Sequence, residues 1–194
     1  MDKNHLYIVL TRTNTVLSRL IRLFMNDEYT HASIALDKDL NKMYSFGRKY
    51  IYNPFIGRFK REYIDDGFYR LQKEVPCIVL EVKVSKQQYE KAQSIVGGFI
   101  SNSHLYKYNY KGLFYNLFDV QRYEDKRFVC SEFVYYVLNQ SGIADLNMPG
   151  NLVRPQSLLD IKSNIIFKGD LKHFGKRENH YMIERNCIRG LSAV

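Results

Sequence analysis

One stretch constrains the fold more than any other. In RFVCSEFVYYVLNQSG, residues 127–142, the positions Cys130, Phe133, Val134, Val137 and Leu138 recur at i, i+3, i+4, i+7 and i+8. That spacing predicts an amphipathic helix with Cys130 at the head of its core-facing stripe and Gly142 as its C-terminal stop. A helix with one apolar stripe must bury it against a second layer. The candidates for that layer are strands. HLYIVLT (5–11), THASIAL (30–36), MYSFGRK (43–49), PCIVLEVKV (76–84) and NIIFKGDL (164–171) are short and rich in branched or aromatic residues. The second and third read as a hairpin through the turn chemistry of DKDLNK.

Further helices are expected over 13–27, with Leu17, Leu20, Ile21 and Phe24 on one face, and over 85–101 behind a Ser85 cap. RPQSLLDI reads as a short helix with proline near its start. Residues 50–74 carry Asn-Pro, two glycines and mixed charge without a sustained period, so they read as a long loop with short elements. The aromatic-rich stretch NSHLYKYNYKGLFYNLF has no clear period either. The expected class is α+β and mostly antiparallel, one domain over 1–176 with a peripheral tail over 177–194.

Composition narrows the function classes. Hydrophobic residues at 45% and charged residues at 25% argue against wholesale disorder. The net charge of +9 favours anionic surfaces or substrates, but the basic residues are scattered and no zinc-finger spacing or RNA-binding motif accompanies them, so nucleic acid binding is not expected. Peripheral membrane contact through Arg19 and Arg22 competes with the simpler reading that the 13–27 helix docks its apolar face on the core. Cys77, Cys130 and Cys187 are odd in number and lack CxxC pairs, which points to a reducing compartment and away from a metal site. The N-terminus does not resemble a secretory signal, and no run approaches the ~20 apolar residues of a membrane span, so a cytoplasmic protein is expected.

Cys130 is the first candidate for chemistry. At the first turn of a helix, unpaired N–H groups and the positive end of the dipole favour a thiolate and can later hold an oxyanion. The plainer alternative is a small buried hydrophobe. Cys77 and Cys187 lack comparable surroundings. Of five histidines, His5, His104, His173 and His180 lie near the termini or in a polar connection. His31 opens a strand and shares a face with Ser33 and Ala35, small neighbours that leave room for a thiolate. It also admits the alternative of a strand histidine bonded to a carbonyl. Nothing in the local sequence brings residues 31 and 130 together.

In that order, THASIALD and then FVCSEFVYYVL, the two segments resemble the circularly permuted branch of the NlpC superfamily, the papain-like group that also includes LRAT-like acyltransferases. MYSFGRKYIYNPF resembles a segment of bacterial proteins of the same branch. The resemblance implies a papain-like fold, with an antiparallel sheet or small barrel packed against the cysteine-bearing helix, and an acyl chemistry in which Cys130 attacks a carbonyl and His31 activates it. It also implies a third polar residue on the strand after the histidine. Ser45 is the short polar side chain there, with Asp37 as the other option. Glu132 is expected to face solvent or a salt bridge, lying about 200° around the helix from Cys130. Tyr108 and Tyr110 are candidates to line the substrate cleft, against ordinary packing. No metal or organic cofactor is required. The implied substrates are amides or esters: small molecules, peptides or lipid acyl groups. The alternative function is a lipid- or acyl-binding module of the same fold without turnover.

Overall fold

The structure, a computed structural model, describes residues 4–12, 27–48, 57–109 and 127–175. Its centre is β1 (Asn4–Thr11), whose continuous apolar run Leu6–Leu10 is buried on both faces. β2 (His31–Ala35) pairs with it on one side and β5 (Pro76–Val84) on the other. With β3 (Met43–Arg48), β4 (Gly57–Glu62) and β8 (Asn164–Asp170) they form a six-stranded antiparallel sheet in the order β4-β3-β2-β1-β5-β8. Two short strands, β6 (Lys107–Tyr108) and β7 (Arg127–Phe128), pair in parallel beside it.

Among the described residues three α-helices join the sheet in an α+β architecture: α1 (Gly67–Leu71), α2 (Lys86–Ser101) and α3 (Cys130–Gln140). Ser85 caps α2 in a capping box with Gln88, as its sequence position predicts. Gly142 follows α3 with φ 65°, the left-handed conformation that glycine accepts without strain. RPQSLLDI contributes a 3₁₀ helix over Gln156–Asp160.

Alternation along the strands divides the interior into two cores. Leu6, Ile8, Leu10, Ala32, Ile34, Ile78 and Leu80 face α2 and α3. Tyr7, Val9, Ala35, Met43, Val79 and Leu171 form the core of the opposite face. On the helix side four phenylalanines, one each from β3, β4, α2 and α3, meet in a closed tetrad. Phe46, Phe59, Phe99 and Phe133 have ring centroids between 5.0 and 5.9 Å apart in all six pairings. Each such pair contributes about 0.5–1.5 kcal/mol beyond the area it buries, so the tetrad fixes α3 against the β3–β4 end of the sheet.

The opposite face carries a cavity of about 940 Å³ between Leu40, Tyr63, Ile64, Phe167 and Phe174, with neither Cys130 nor His31 among its lining. Among the described residues no helix is long and apolar enough to cross a membrane. The predicted helix over 13–27, bearing Arg19 and Arg22, falls outside the described residues but for Asp27, and the 177–194 tail lies wholly outside them.

Candidate active site

Cys130 is the first residue of α3 and only 6% exposed. Val129, the residue before it, has no side-chain acceptor for the orphan amides of the first turn. Instead the Glu132 carboxylate reaches back to accept the Val129 N–H at 3.3 Å. Glu132 is thus buried and occupied in capping, which corrects the expectation of a solvent-facing residue. Its position on the helix was right, but the unsatisfied amides at the helix start draw it inward.

His31 is the first residue of β2, opposite Thr11 of β1. β2 pairs with β3 only at Ile34↔Tyr44 and Ala35↔Met43, so the two strands have parted before the His31 end. Where they part, the imidazole lies near the Cys130 thiol, close enough for the sulfur to help hold the ring's proton. The structure therefore joins two residues that the sequence could only order.

A short segment after α3 holds this geometry from both sides. Ser131, next to the cysteine, donates its hydroxyl to the Val153 carbonyl at 2.6 Å. Gln156 Oε1 accepts the backbone N–H groups of Glu28 and Tyr29 at 3.2 and 3.3 Å, just before the histidine strand. Arg154 donates to the buried Asp27 carboxylate at 3.2 Å, while burial pushes that carboxyl up against the pull of the guanidinium. One stretch of chain, 153–156, ties the start of α3 to the approach to β2.

The residue that orients His31 is Glu62, the last of β4. Nε2–H of His31 lies 3.2 Å from both of its carboxylate oxygens. Ser33 donates to Oε2 at 2.6 Å and Tyr69 of α1 at 3.0 Å, and Lys60 approaches Oε1 at 3.3 Å. The carboxylate is 4% exposed, and each of its oxygens is engaged. Burial alone would push Glu62 up, but His31 and then Lys60 hold it well below the usual carboxylate range. Burial alone would likewise push the imidazolium down. Glu62, followed by Cys130, reverses this and raises His31 to about 10. Tyr69, pushed up by burial and by Glu62, keeps its proton and remains a donor.

Ser45 does not fill the orienting position. Its hydroxyl donates to the Ala32 carbonyl at 2.7 Å, with the Phe46 carbonyl at 3.2 Å, and so serves the backbone where β2 and β3 separate. Asp37 is also removed from that role. Its carboxylate closes the β2–β3 turn by accepting the N–H groups of Asn41 and Lys42 at 3.0 and 2.6 Å. The backbone of Tyr108 pairs with Phe128, two residues before the cysteine, and Tyr110 lies outside the described residues.

Glu62 lies within residues 50–74, which without a sustained period read as a long loop with short elements; β4 and α1 are such elements, and the carboxylate ends the first of them. The available signal was the period of two in GRFKRE, which puts Arg58, Lys60 and Glu62 on one face and Phe59 on the other. Among the described residues no cluster of His, Cys, Asp and Glu could hold a metal ion. No protein-family model, curated protein or solved structure matches this chain.

Proposed function

We propose that the chain is a cysteine hydrolase or acyltransferase with Cys130 as nucleophile, His31 as acid–base and Glu62 as the carboxylate that orients the imidazole. The observation that supports this most is the half-buried histidine set between a thiol at a helix start and a four-donor carboxylate. With Nε2 engaged by Glu62, Nδ1 is the nitrogen left to exchange a proton with the thiol. The cysteine proton passes to His31. The thiolate then attacks the carbonyl carbon of an amide or ester, and the first-turn N–H groups of α3 receive the developing oxyanion. Collapse to a thioester expels the amine or alcohol, which takes its proton from His31. Water or another acceptor, deprotonated by the same imidazole, cleaves the thioester and restores the thiol.

The histidine strand precedes the cysteine helix, and α3 packs on the helix-side face of the antiparallel sheet. Both features suit a circularly permuted papain-like domain, as the two motifs suggest. A serine in the third position would favour a non-catalytic acyl-binding module; with Glu62 against the ring that reading loses its support.

Peptide-resolved alkylation with iodoacetamide near neutral pH tests the reading. Cys130 is expected to react about tenfold or more faster than the buried Cys77, and Cys130→Ala to abolish turnover of activated esters. Equal, slow labelling of all cysteines would sink it.

A further inference from the structure

We infer that Lys60, seated over Gly47, is a positioning residue that acts through Glu62 to limit how tightly His31 holds its proton. The inference rests on the proposed role of His31. An acid–base shuttle must release its proton as readily as it accepts one, and works best with a proton affinity near the working pH. A buried carboxylate bonded only by His31, Ser33 and Tyr69 would fix the imidazolium too firmly for that. Lys60 counters this. Its ammonium stands 3.3 Å from Oε1, the same oxygen that His31 Nε2 approaches at 3.2 Å, so two cations lean on one oxygen. The second cation shares the carboxylate's charge and repels the imidazolium. At 26% exposure the lysine is partly screened, which makes it a moderating influence rather than a rival that captures Glu62 outright.

Gly47 makes the approach possible. A Cβ at that position would lie 3.0 Å from Lys60 Cε and 3.6 Å from its Nζ. The glycine has no positive φ to explain it, so what it supplies is space. It lies on β3 opposite Arg58, and the next pair on the same face of these two strands is Ser45↔Lys60. A methyl group there displaces the lysine head without deleting any charge. Among the described residues Glu62 faces His31 from β4 with Lys60 against that carboxylate, Cys130 from α3 and Tyr69, through Glu62, from α1, with Ser33 as a neutral neighbour. Arg58 shares the Lys60 face of β4 but is exposed.

The test is an NMR titration of the His31 ring in the full chain, paired with the pH profile of Cys130 alkylation by iodoacetate, an anionic reagent that reacts best while the imidazolium is present. Lys60→Met is expected to raise the His31 midpoint by about 0.5–1 pH unit, and to carry the alkaline limb of alkylation upward with it. Lys60→Arg should restore both. Gly47→Ala should move them in the same direction by less, with every ionisable group still in place. A midpoint and limb that stay fixed, or fall, in Lys60→Met would overturn the inference. Wild-type Cys130 that alkylates no faster than Cys77 would instead count against the hydrolase reading, and the ring titration would still decide the role of Lys60.

Discussion

Glu62 holds its charge below the usual carboxylate range and His31 holds its proton above the usual imidazole range, each because of the other. Both shifts carry a dependence of stability on pH. The raised histidine stabilises the fold fully below its ordinary value of 6.5, and that contribution is lost as pH climbs towards about 10. The lowered carboxylate contributes above its ordinary value of 4.5 and is lost as acid protonates it. Glu62→Gln removes the countercharge, so its melting temperature should lose less between pH 7 and 10 than that of the wild type. In the same variant Cys130 labelling at neutral pH should fall by about 10²-fold, since the imidazolium beside the thiol is no longer favoured. A wild-type-like slope on the alkaline side would contradict the pairing. At this scale the sequence singles out Cys130 through its place on a helical stripe and His31 chiefly through the order of the two segments that carry the resemblance. It could not reveal Glu62, because a carboxylate on a polar strand looks the same whether it meets water or an imidazole.

Apolar runs made β1, β2 and β5 legible, and helical spacing with a cap made α2 and α3 so. β4 failed that reading for a physical reason. Only Phe59 of GRFKRE enters the aromatic tetrad, while the opposite face turns Lys60 and Glu62 towards His31, so a carboxylate is buried where alternation leads one to expect a solvent-facing residue. The 153–156 segment was equally opaque, since its bonds to Ser131 and to the approach to β2 span more than a hundred residues of chain in the latter case. Its importance can be measured. Gln156→Ala leaves two backbone N–H groups without their acceptor and should cost about 1–2 kcal/mol in urea unfolding. It should also slow Cys130 labelling several-fold by loosening the register between the histidine strand and the cysteine helix. Loss of stability with unchanged labelling would show that the segment braces the fold without aligning the site.

The proposed site draws on both faces of the sheet: Cys130 comes from α3 on the helix side, whereas Ser33, Glu62 and Tyr69 lie on the side of the second core. α3 and the tetrad lie on one face, whereas the core around Val9, Val79 and Leu171 and the 940 Å³ cavity lie on the other. Leu171 is fully buried in that second core, so Leu171→Ala should destabilise the protein by about 2–5 kcal/mol while leaving the His31 titration midpoint where it is. A shifted midpoint would mean that the second core, to which Tyr69 also belongs, reaches His31 through Glu62. Cys77 belongs to the second face, opposite Thr11 in the β1–β5 pairing, and is 2% exposed. Burial, and after it Asp170, pushes its thiol up to about 12, so at neutral pH it stays silent towards alkylating reagents until the sheet opens. The pace at which it becomes labelled is then a clock for opening events in the intact molecule, read in the same spectrum as Cys130. Each sample thus carries its own internal standard, one sulfur gauging the site and the other counting how often the scaffold comes apart.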